Sequence, residues 1–202
     1  MRFIIIILSF TLFACNSEEE YLKNIKLKAE TFIKTNSNNF LSNNRLLRYN
    51  YNPRGKFTLH SDSSNSYRAR AKANELKIIC FSKNCNLNED FLQSPVKLKK
   101  GKYIFKSDSI VKETHNSHIK QKFKSDPKLY FQNLEKNLKE YSIFSFHQGK
   151  DKSFIKLYLD INFYLIFTPK KDYKPHIGKD KVITVYNKNW VLVKMDRPMD
   201  LG

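Results

Sequence analysis

Apolar side chains recur at helical spacing in two stretches and alternate with polar ones in several others. From Glu18 to Lys34, the residues Leu22, Ile25, Ala29, Phe32 and Ile33 fall on one helical face. Glu19–Lys23 and Glu30–Lys34 add i,i+4 pairs in the favourable order. The Asn/Ser cluster from Asn36 to Asn39 predicts the end of this helix. A second helix begins at Asp126-Pro127, with Asp126 or Ser125 as cap and Pro127 at the first helical position. Tyr130, Phe131, Leu134, Leu138 and Tyr141 form its apolar stripe.

Past this helix the period switches to two. Ile155, Leu157, Leu159, Ile161, Phe163, Leu165 and Phe167 alternate with polar or aromatic neighbours. One strand of that length exceeds the usual span, so a fold-over near Asp160–Asn162 is expected. Val182–Tyr186 and Trp190–Met195 predict a hairpin about Asn187-Lys188-Asn189. Lys56–His60, Leu76–Phe81, Lys102–Lys106 and Ile143–His147 read as further strands, and Ser61–Asn65 as a loop. Thr114–Ser125 reads as loop or frayed helix. These elements predict one α+β domain, an antiparallel sheet of four or five strands with helices packed on one face.

Ahead of the first helix, Phe3–Ala14 is an uncharged apolar run after Met1-Arg2. At twelve residues it falls short of the roughly 20 needed to span a bilayer, and it has the anatomy of a cleaved secretory signal. Leu12-Phe13-Ala14-Cys15 resembles the lipobox of bacterial lipoproteins, with Phe13 standing where that pattern usually carries a smaller residue. The resemblance covers only the targeting segment. It implies acylation of the Cys15 thiol, which becomes the first residue of the mature chain. In the enterobacterial sorting pattern, which this resemblance brings in, an Asp after the cysteine favours inner-membrane retention, so Asn16 implies the outer membrane; Ser17-Glu18-Glu19-Glu20 is similar to the acidic tract of surface-exported lipoproteins of Bacteroidota. The expected organisation is a signal peptide at 1–14, a lipidated tether at 15–20 and a single domain at 21–202.

Three cysteines fit this account. With Cys15 lipidated, Cys80 and Cys85 remain as a pair, and in an exported protein they predict a disulfide. The rival metal reading lacks a second ligand pair. Hydrophobic residues make up 41% of the chain, enough for a real core. Loss of residues 1–14 removes only Arg2, leaving 36 basic against 19 acidic side chains, or +17. Such an excess attracts anionic surfaces. Lysine supplies 30 of the 37 basic residues of the whole chain, which favours diffuse attraction over shaped phosphate forks.

Within Lys97–Lys128 lie ten lysines and three acids, with Tyr103, Phe105 and Phe123 interleaved. Lys97, Lys99, Lys100 and Lys102 are the candidate anion-binding residues. Anionic lipid, lipopolysaccharide or acidic glycan is the nearer partner for an exported protein, and nucleic acid the remoter one. His115 and His118 could share a metal at i,i+3 on a helix, but no carboxylate cluster completes the shell, so surface histidines are expected. His147 beside a turn, and Trp190, Tyr158, Tyr164 and Tyr186 on strands, read as structural. The five glycines are too far apart for a phosphate-cradling loop, and no catalytic motif or cofactor signature is present. The pattern favours a binding or envelope-associated structural role. The alternatives are an enzyme with a site assembled from scattered residues, and an inhibitor or immunity-type lipoprotein.

Overall fold

The computed structural model describes residues 2–52, 54, 56–59, 67–72, 75–114, 117–149 and 152–200. Helix α1 spans Arg2–Thr31. It passes into a π-helical turn, Phe32–Asn36, and then α2, Ser37–Ser42. The strands are β1 Tyr49–Asn52, β2 Lys56–Leu59, β3 Tyr67–Lys72, β4 Glu75–Leu87, β5 Val96–Phe105, β6 Ser109–Lys112 and β7 His118–Lys120. After α3, Pro127–Glu140, come β8 Ser145–Gln148, β9 Ile155–Tyr158 and β10 Phe163–Phe167. A short α4, Lys174–Ile177, precedes β11 Lys181–Val185 and β12 Trp190–Lys194.

All twelve strands join one open antiparallel sheet in the order β11-β12-β10-β9-β8-β1-β2-β3-β4-β5-β6-β7. The first seven meander outward, and the chain then returns so that β8 pairs with the free side of β1. This corrects the expected α+β layer of four or five strands. The molecule is predominantly β, 40% strand against 28% helix, with one long helix in its N-terminal region. The missed strands are short or lean on weak apolar partners. In β3 the inward residues are Tyr67, Ala69 and Ala71, and alanine hardly marks an alternation against Arg68 and Arg70. Within Thr114–Ser125, residues His118–Lys120 form the edge strand β7. The Ser61–Asn65 loop lies outside the described residues.

Helix α1 packs through Ile25 and Ala29, both buried, and Phe32 continues that face to meet Trp190 edge-on at 5.8 Å. The Asn36–Asn39 cluster does not end the helical path. The hydroxyls of Thr35 and Ser37 donate to the carbonyls of Thr31 and Ile33, each at 2.6 Å, a back-bonding that bends helices. The path then continues in α2, where Phe40 is fully buried edge-on to Phe32, Tyr141 and Phe146. In α3, Asp126 accepts the Lys128 backbone N–H at 2.8 Å and Pro127 follows it. Tyr130, Phe131, Leu134 and Leu138 are its buried stripe.

The long alternating run does fold over. Asp160 Oδ1 accepts the backbone N–H groups of Asn162 and Phe163 at 2.7 and 2.8 Å, closing the β9–β10 turn. The hairpin about Asn187 forms likewise, its Oδ1 accepting from the N–H groups of Asn189 and Trp190. Here β12, not β11, pairs with β10. Trp190 and Tyr164 are buried; Tyr158 and Tyr186 are half-buried.

Cys80 and Cys85 are joined in a disulfide, their Cα atoms 5.9 Å apart. Along β4 the buried positions are Leu76, Ile78 and Cys80, and then Cys85 and Leu87. The inward parity therefore inverts between the cysteines, where the register with β5 shifts from Cys80↔Gly101 to Asn84↔Lys99. Two extra residues bulge out of β4, and the disulfide closes the base of that bulge. Across from it Gly101 sits at φ 151°, a conformation open to glycine but strained for other residues.

Candidate anionic-surface interface

The outward face of β3, β4 and β5 is built by alternation. Arg68 and Arg70 project between the buried Tyr67, Ala69 and Ala71. On β5, Lys97 and Lys99 are exposed beside the buried Val96 and Leu98, and Lys102 is exposed beside the buried Tyr103. Because β5 inverts its parity at the Gly101 irregularity, Lys97, Lys99 and Lys102 all end on the outer face. Lys100 is exposed within the irregularity itself.

Register brings the arginines into the same field. Arg68 lies opposite Ile79, and Ile79 opposite Lys102; Arg70 lies opposite Lys77. Like charges directly opposed are unfavourable in an antiparallel pair. Lys77 relieves this by bonding Glu113 at 3.1 Å and Glu75 at 3.4 Å, and these bonds raise its pKa. No carboxylate pairs with Arg68 or Arg70 among the described residues. Phe81, exposed in the β4 bulge, lies under the Arg68 guanidinium at 5.8 Å. The four lysines stand out in the sequence as a local run, whereas Arg68, Arg70 and Phe81 do not. Only the Tyr-Arg-Ala-Arg-Ala-Lys alternation could have signalled the arginines.

The most enclosed acid among the described residues lies on the inner side. Glu89 is buried and accepts the phenols of Tyr49 at 2.9 Å and Tyr67 at 2.8 Å, with Arg48 at 3.7 Å. Arg48 also grips Asp90 at 2.6 Å, and Tyr130 donates to Asp90 at 3.3 Å. Burial raises the Glu89 pKa, opposed by the two phenols and the guanidinium. Burial and then the Asp90 charge push Tyr130 up to about 12. This network ties β1, β3 and α3 to the turn after β4. Its acceptors are consumed by its own donors, so it works as a structural clasp.

At the other end of the sheet, α1 is fastened to the body soon after Cys15. Glu18 pairs with Lys194 at 3.2 Å, Tyr21 donates to Asp160 at 2.5 Å, and Lys28 donates to the Leu159 carbonyl at 2.7 Å. Among the described residues no helix is long and apolar enough to cross a membrane. His118 lies exposed on strand β7, not on a helix, and His115 is outside the described residues. His176 stacks on Phe154 at 4.6 Å, and His147 lies 6.0 Å from the same ring. No group of three or more His, Cys, Asp or Glu residues able to hold a metal occurs among the described residues.

The chain matches no family model, and no curated protein or solved structure matches it.

Proposed function

We propose that this chain is a lipid-anchored protein of the bacterial outer membrane that acts as a binding module for phosphate-bearing headgroups, of anionic lipid or of lipopolysaccharide. The observation that carries the reading is the convergence of Arg68, Arg70, Lys97, Lys99 and Lys102 on one sheet face, beside the exposed Phe81. Arginine forks and an aromatic ring add directed contacts to lysine attraction. Acylation at Cys15 supplies the anchor, on the strength of the Leu12–Cys15 pattern. Glu18, whose ion pair with Lys194 helps to fasten α1 to the body, lies three positions after Cys15, about 4.5 Å of helical rise. So short a link holds the domain near the headgroups. Basic side chains close to an anionic leaflet contribute about 1 kcal/mol each, fading within a Debye length.

Intact-mass analysis of protein from the membrane fraction tests the anchor. The expected result is loss of Met1–Ala14 and a gain of acyl chains, with Cys15→Ser released to the soluble fraction. Wild type and Cys15→Ser appearing together as soluble protein cut at the same place would overturn it.

A further inference from the structure

Between α3 and the inner face of β2–β5 lies an open cleft of about 430 Å³. That volume is within the roughly 300–1,000 Å³ of small-molecule sites. Its floor is apolar: Phe57, Ala71, Leu76, Phe105 and Phe131. Phe131 is backed by Tyr49 at 5.3 Å and Phe91 at 5.9 Å and flanked by Phe57 at 5.6 Å, so this wall is preformed.

The rim carries both signs of charge, and their engagement differs. Glu75 is paired with Lys77. Glu135 accepts the Tyr51 phenol at 3.2 Å and pairs with Lys139. Asp126 gives Oδ1 to the Lys128 backbone N–H. The ammonium groups of Lys106 and Lys128 have no hydrogen-bond or ion-pair partner among the described residues. The cleft thus offers an aromatic floor, three occupied acids and two unoccupied cations.

We infer that this cleft is a binding site for a single-chain anionic amphiphile, its aliphatic chain on the Phe57–Phe131 floor and its carboxylate or phosphate head between Lys106 and Lys128. The site is separate from the outer basic face, since Ala71 and Phe57 are inward residues of strands whose outward residues include Arg70 and Thr58. The inference therefore stands or falls independently of the headgroup reading.

The test is calorimetric titration of Cys15→Ser protein beginning at residue 15 with dodecanoate, dodecyl phosphate and dodecyltrimethylammonium, each below its micelle concentration. The expected result is saturable one-to-one binding of one or both anions, with the cation weaker by about tenfold or more. Preference between the two anions assigns the head as carboxylate or phosphate. Gln132→Trp, at an exposed position of α3 on the cleft wall, fills the space and abolishes binding. Lys106→Glu with Lys128→Glu weakens the anions about tenfold, while Lys120→Glu with Lys174→Glu, away from the cleft, leaves binding within about twofold. The charge reversals lie on exposed side chains, so they keep the test decisive if the tryptophan disturbs folding. Absence of saturable binding, equal binding of the cation, or indifference to Lys106 and Lys128 reversal would each overturn the inference.

Discussion

Glu89 is the residue on which the inner polar network depends. It is nearly enclosed, and its carboxylate accepts from the phenols of two buried tyrosines, Tyr49 and Tyr67. Glu89→Leu should strand both hydroxyls, at about 1–3 kcal/mol for each group left unpaired. Glu89→Gln keeps one carbonyl acceptor and should cost less. The pH dependence has a definite sign. The folded carboxyl binds its proton more tightly than the unfolded one, because burial raises its pKa. Its contribution is fully present below the ordinary glutamate value of about 4.3 and is lost as pH rises through the raised folded value. Denaturant unfolding of wild type and Glu89→Gln should therefore show wild type losing ground as pH climbs from about 4 upward. A stability difference that is flat with pH, or that moves in wild type's favour, would contradict this account. None of the network was legible in the sequence, because Arg48, Tyr49, Tyr67, Glu89 and Tyr130 meet only through pairing across strands and packing of α3. The four lysines on β5 were legible as a local run, whereas Arg68 and Arg70 join them only through the β3–β4 register.

At the scale of elements, α3 was the most readable part of the chain. Its cap, its proline and its buried stripe are all local signals. Asp126→Ala should lower stability by about 1 kcal/mol, measured by thermal or denaturant unfolding; an unchanged midpoint would show that another group caps the helix. The end of the first helix was misread because an Asn/Ser cluster is a stop signal only when nothing downstream needs burial, and Phe40 does. Strand β4 extends beyond its apolar run because the bulge between its cysteines inverts the parity, so the pattern in sequence breaks while the strand continues. The disulfide closes that bulge. Chain-entropy reasoning gives about 2 kcal/mol for so short a loop, and Cys80→Ser with Cys85→Ser should lose about that much. The loss should match that of wild type under reduction; a double variant as stable as oxidised wild type would show that the bulge holds itself.

The whole molecule is governed by its sheet, and that is where local reading ran out. Strand number depends on which short polar segments find neighbours, and β1, β3, β6 and β7 are held by register and by inward residues such as Tyr49, Tyr51 and Ile110. The same twelve-strand assembly gives the molecule two faces of different chemistry, an inner one packed with aromatic side chains and helices and an outer one that gathers positive charge over β3–β5. In the proposed function it is this outer face, and not net charge alone, that binds anionic headgroups. The direct measurement is co-sedimentation of non-acylated Cys15→Ser protein beginning at residue 15 with vesicles containing phosphatidylglycerol or lipopolysaccharide, across a salt series. Wild type should bind at low salt and release as ionic strength approaches physiological values, where the Debye length is about 8 Å. Arg68→Glu, Arg70→Glu and Lys102→Glu together should abolish binding, while three reversals at Lys136, Lys170 and Lys188 should leave most of it. Equal loss in the two triple variants would contradict the account and reduce the interaction to net charge.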